Sequence, residues 1–244
     1  MIETFTALLF THTLTDFAFQ SDRMAHRKAK REITAFASHL AILLGLSAVA
    51  LLQFSTGFLI ALALVFASHL LIDFAKSFAP PTLKSFVFDQ AAHLIAYAFI
   101  AAWFSDLWAQ ALWSDHKWIP GVYALIAGSF ITVRAGGFAI ERLLTNSGFG
   151  QESASAPAGG ELIGLLERSL IFILILANQP SAIGFLIVAK VWRFDALSKS
   201  DTQLKSEYVI IGTLASFGWA LAASYATLAL LGHLPPLGIL PVPD

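Results

Sequence analysis

Apolar residues run along this chain in long blocks separated by short polar intervals. Eight blocks predict helices near residues 2–20, 33–52, 57–75, 89–108, 119–140, 161–178, 181–193 and 208–232. A bilayer asks for about 20 apolar residues per helix. The seventh block is shorter than the rest, short enough to be re-entrant or a half-helix. The pattern therefore predicts an all-α, polytopic integral membrane helical bundle of about eight transmembrane segments.

Composition agrees. The 244 residues are 57% hydrophobic and 13% charged, with a mean hydropathy of +0.72. A net charge of -1 without a basic tail gives no reason to expect nucleic acid as a partner. The absence of cysteine removes disulfides and thiolate metal sites together. His12, Asp16 and Gln20 in the first block are out of place in a cleavable signal, and no small-residue cleavage site follows it.

Lysine and arginine set the expected orientation. Arg23, Arg27, Lys28, Lys30 and Arg31 follow the first span, and Lys76, Lys84, Arg142, Lys190, Arg193, Lys199 and Lys205 lie at or beside the loops after the third, fifth and seventh. Lys117 alone marks the other side, twelve against one, which puts the basic loops in the cytoplasm and both termini outside. Trp103, Trp108, Trp113 and Trp118 read as an interfacial aromatic belt. Four parts follow: 1–108, a duplicated helical-hairpin part; 109–144, an outer loop and the fifth span; 145–160, small and polar, a flexible cytoplasmic linker; and 161–244, a C-terminal membrane part with a short irregular tail.

The duplication is read from HxxxDFA, which occurs at His12 to Ala18 and again at His69 to Ala75, each copy followed after a loop by a helix bearing His39 or His93. Residues four apart share a helix face, so each motif projects an imidazole and a carboxylate together. In the fourth span the order reverses to Asp89, Gln90, His93 as the chain direction reverses, which keeps each carboxylate near the interface and its histidine about 6 Å deeper. Ionisable groups at membrane depth mark function by default. His12, Asp16, His69, Asp73, Asp89 and His93 form a candidate ligand set for one or two divalent metals, zinc, manganese or iron, with His39, Gln20 and Gln90 in supporting positions. The bland alternative is a set of interhelical hydrogen bonds.

A second constellation lies in the C-terminal part. Glu161 and Glu167 are candidate general bases, and Arg168, Lys190 and Arg193 are candidate holders of a substrate anion. Snorkelling of interfacial cations and structural pairing with a glutamate compete with that role. No P-loop, dinucleotide glycine signature, GxSxG or HExxH is present.

His12, Asp16, Phe17 and Gln20, the HxxxD and DQxxH pair, and the runs IGLLER, AIGFLIVAK, RF and EYVIIGT resemble the uncharacterised bacterial membrane family called domain of unknown function three-three-zero-seven. That resemblance implies a multi-pass helical fold in the bacterial inner membrane and supplies no activity. A fainter similarity, resting on the intramembrane His and Asp motifs alone, is to membrane-bound metal-dependent hydrolases. The leading expectation is a cytoplasm-facing metal-dependent hydrolase of a lipid-linked or amphipathic ester or phosphoester. The alternatives are a cation- or proton-coupled transporter, and a non-enzymatic membrane partner whose basic loop, Arg23 to Arg31, contacts anionic lipid or protein.

Overall fold

The computed structural model describes residues 1–146, 158–198 and 203–237, leaving out the side chains of 158, 159, 191–198 and 203–208. Every regular element among the described residues is helical: α1 (Ile2–Phe17), α2 (Asp22–Ala29), α3 (Ile33–Ala50), α4 (Thr56–Lys76), α5 (Leu83–Trp103), α6 (Ile119–Phe130), a π turn (Ile131–Ala135), α7 (Gly136–Asn146), α8 (Ala158–Leu176), α9 (Ile183–Ser198) and α10 (Gln203–Leu231). This is a membrane protein. Among the described residues, five stretches are long and apolar enough to cross a bilayer: α3, α4, α5, the continuous run Ile119–Asn146, and Val209–Leu231 within α10. The expected count of eight spans is not matched by that criterion, since α1 and α9 have 16 residues each and α8 carries Glu161, Glu167 and Arg168.

The fourth span is displaced from the expected 89–108. Pro80 and Pro81 lie in the connection after α4, and the Thr82 hydroxyl accepts from the Ser85 amide as an N-cap, so α5 begins at Leu83 and its charged first turns belong to the helix. α2 has no counterpart among the expected elements; it is short, polar and capped by Ser21. The residues of the expected linker between Asn146 and Ala158 lie outside the described set, as does the tail from residue 238.

The chain forms two compact units. In the first, Met1–Phe130 with Leu230–Leu237, α1 packs on α3 and α5, and α4 packs on α3 and α5, closing a ring of four helices; α6 covers the outer side of α1. The core of Leu8, Leu43, Leu51, Val65, Tyr97, Ile100 and Trp108 fills one end. There the segment after α5 folds back on the end of α3: Leu112 N–H donates to the Leu52 carbonyl, Gln53 Nε2 to that of Leu107, and Trp113 Nε1 to that of Val49. Trp108 is thus a core residue and not part of an interfacial belt, while Trp103 and Trp118 stay exposed.

Polar side chains fill the other end, and the outer faces are apolar. On α4 the inward stripe is Phe58, Ala61, Val65, His69 and Asp73, while Leu59, Ile60, Leu64, Leu71 and Phe74 are exposed. This inversion of the soluble pattern suits a hydrocarbon surrounding. α1 is buried nearly all round, and Thr6, Thr11, Thr13 and Thr15 return their hydroxyls to carbonyls three or four residues back, so these polar residues bring no unpaired donor into the core.

The second unit, Ile131–Ala229, contains the π turn, whose widened backbone leaves carbonyls free. Trp219 Nε1 donates to the Ile131 carbonyl at 2.9 Å and Arg168 Nε to that of Val133 at 3.0 Å. A Cβ added at Gly136 would lie 2.7 Å from the Trp219 ring, so glycine there permits the approach.

Candidate metal centre

The first constellation draws on all four helices of the ring: His12 and Asp16 from the last turns of α1, His39 from the second turn of α3, His69 and Asp73 from the last turns of α4, and Asp89 and His93 from the start of α5. All seven side chains are buried. Because antiparallel neighbours bring chain ends to one level, four local motifs become one layer.

His39 stands at the centre of that layer, where the sequence had given it a supporting place. Its Nε2 lies 2.9 Å from His69 Nε2, 3.3 Å from Asp16 Oδ1 and 3.3 Å from Asp73 Oδ2. His69 Nε2 in turn lies 3.6 Å from Asp16 Oδ1 and 3.4 Å from Asp73 Oδ2. His12, His69 and His93 form a second group, their ring centroids 4.4–5.5 Å apart. Three sets have ligand atoms within 4.8 Å of one another: Asp16, His39 and His69; His12, His69 and His93; and Asp73, Asp89 and His93. These buried groups are able to hold a metal ion.

Around the layer sit residues that orient it. Gln20 accepts from Lys28 Nζ at 2.8 Å, and Gln90 bridges His12 Nε2 and Asp89 Oδ2 at 3.2 and 3.0 Å. Three further side chains escaped the sequence reading as site residues. Lys28, the buried residue of otherwise exposed α2, donates to Asp73 Oδ2; Lys76 donates to Asp89 Oδ2; and the Tyr97 hydroxyl lies 2.9 Å from His69 Nδ1. Tyr97 was detectable in principle, four residues beyond His93 on the same face. Lys28 was counted only as one of five loop cations, and nothing local distinguishes it from its neighbours.

The C-terminal constellation lies in the other unit. Lys190 Nζ donates to Glu167 Oε2 at 2.6 Å, and Arg168, buried, divides its guanidinium between the Val133 carbonyl and Ser216 Oγ. Glu161 is exposed. The side chain of Arg193 is outside the described residues.

Residues 4–119 match the family model for "Protein of unknown function (DUF3307)". The match runs from the first turn of α1 to the first residue of α6 and takes in every member of the His/Asp layer together with Lys28, Lys76 and Tyr97; the C-terminal motifs lie outside it. No curated protein and no solved structure matches the chain.

Proposed function

We propose that the first unit holds a divalent metal ion, zinc, manganese or iron, between Asp16, His39, His69 and Asp73. On this reading the protein is a hydrolase of a lipid-linked or amphipathic ester or phosphoester. The spacing of the Asp16, His39 and His69 donor atoms, all within 4.8 Å of one another, carries the proposal, with Asp73 Oδ2 3.3 and 3.4 Å from the two imidazoles as a fourth donor. Tetrahedral ligands about 2.0–2.1 Å from a metal stand about 3.3–3.4 Å from one another. The five separations among His39 Nε2, His69 Nε2, Asp16 Oδ1 and Asp73 Oδ2 given above run from 2.9 to 3.6 Å.

Charge supports an anionic substrate. Asp16, Asp73 and Asp89 face Lys28 and Lys76, leaving one negative charge with neutral imidazoles. A divalent ion turns that residue positive, a field that draws an anion. Lys28 and Lys76, already at the donor set, are the cations we place nearest the substrate, because Lys190 and Arg168 belong to the other unit. A metal with a coordination position left open by the protein would supply a polarised substrate oxygen and a water that ionises near neutral pH. By the positive-inside rule we place this end of the bundle, with the basic segment Arg23 to Arg31, on the cytoplasmic side of a bacterial inner membrane.

Elemental analysis of the detergent-purified protein beside Asp16→Ala with Asp73→Ala tests the centre. Stoichiometric metal in the wild type and none in a still-folded variant is the expected result; a wild type that stays metal-free after supplementation overturns it. Chromogenic ester and phosphodiester cleavage that stops on chelation and returns with the metal is the matching result for the reaction.

A second reading rests on the ring contacts among His12, His69 and His93, which offer protons a buried path. Proton or cation flux in proteoliposomes, abolished by the same double substitution, would favour transport over hydrolysis.

A further inference from the structure

Two of the four imidazoles stand outside the donor set just assigned, and their neighbours fix where each proton sits. His93 Nδ1 lies 2.9 Å from the Asp89 main-chain oxygen, which only accepts, so Nδ1 carries the hydrogen and Nε2 is a bare lone pair. Gln90 donates its amide to Asp89 Oδ2, which turns its Oε1 toward His12 Nε2. His12 therefore carries its hydrogen on Nε2, and its Nδ1 is bare.

Both bare nitrogens are buried and make no hydrogen bond, and the same holds for Asp89 Oδ1. An unsatisfied buried polar atom gives up its hydration with nothing in return. Protonating His93 offers no relief, since its Nε2 makes no hydrogen bond; His12 Nδ1 faces Asp16 Oδ1 at 3.9 Å, beyond hydrogen-bond distance. A cation satisfies bare lone pairs of this kind. His93 belongs to two further donor groups, one with His12 and His69 and one with Asp73 and Asp89, which share His69 and Asp73 with the first ion. Its hydrogen bond to a backbone carbonyl is the arrangement that orients metal-bound histidine.

We infer that a second divalent ion binds beside the first, anchored by His93, with His12, Asp73 and Asp89 as the donors around it and Asp73 common to both positions. The inference rests on the metal reading above and completes it. Four protein donors close the first position, whereas structural closure is what a hydrolytic ion must avoid. A neighbouring ion sharing a carboxylate provides the open position for water and the partner charge that clamps attacking and leaving oxygens.

The test is loading with Mn²⁺, counting ions per chain and recording the paramagnetic resonance spectrum, for the wild type, His93→Ala and His12→Gln. The expected wild type binds two ions per chain with an exchange-broadened spectrum. Either variant then keeps one ion and shows the resolved hyperfine lines of isolated Mn²⁺; the two substitutions sit on different helices, so misfolding of one leaves the other to decide. A wild type with one ion, retained unchanged in the variants, overturns the second position and leaves the first standing. A wild type with none overturns both.

Discussion

Lys28 shows how much a single side chain decides at this site. Its ammonium is the cation on Asp73, yet it comes from a short helix in the loop before α3, 45 residues away in sequence. Removing one partner of a buried ion pair costs about 3–5 kcal/mol because the other charge is left uncompensated. Lys28→Met is therefore expected to lower the thermal midpoint of the chelated protein markedly. Saturating Zn²⁺ should restore most of the loss, since the metal replaces the ammonium as counter-charge. Equal destabilisation with and without metal would place Lys28 outside the metal's influence. The HxxxD pairs, by contrast, were legible from sequence because residues four apart meet on any helix. His39 has no acid one turn away: Ala35 stands where the second hairpin has Asp89, so its central position depends on carboxylates delivered by α1 and α4.

Among the elements, the π turn between α6 and α7 organises the second unit. One of its carbonyls, that of Val133, accepts from buried Arg168, a role that the pattern GLLER does not disclose. Gly136 sits where the Trp219 ring and the Arg168 stem approach, at 2.7 and 3.0 Å from the position of an added Cβ. Gly136→Ala is expected to destabilise by about 1–3 kcal/mol, the usual cost of overpacking. Gly45→Ala on α3 meets nothing within 4 Å and should be neutral or gain up to about 1 kcal/mol from helix propensity. Thermal unfolding of the two variants in the same detergent checks the contrast. Helix limits followed sequence where caps and breakers are explicit; the displaced start of α5 shows a hydropathy window yielding to Pro80, Pro81 and the Thr82 cap.

For the whole molecule, the natural absence of cysteine makes orientation directly measurable. Arg23→Cys and Asp115→Cys both lie at exposed positions, at opposite ends of the first unit's helices. With the basic end cytoplasmic, a membrane-impermeant maleimide should label position 115 in intact cells and position 23 only after permeabilisation; the reverse labelling would invert the topology. The sequence by itself determined that this is a helical membrane protein and which His and Asp residues share a helix face, because hydrophobic block length and helical period are local properties. Only the tertiary structure decided that four such faces meet in one layer, that His39 stands at its centre, and that Lys28, Lys76 and Tyr97 complete it. Those contacts join helices distant in the chain, and their geometry is set by how the ring of α1, α3, α4 and α5 packs, which no local pattern encodes.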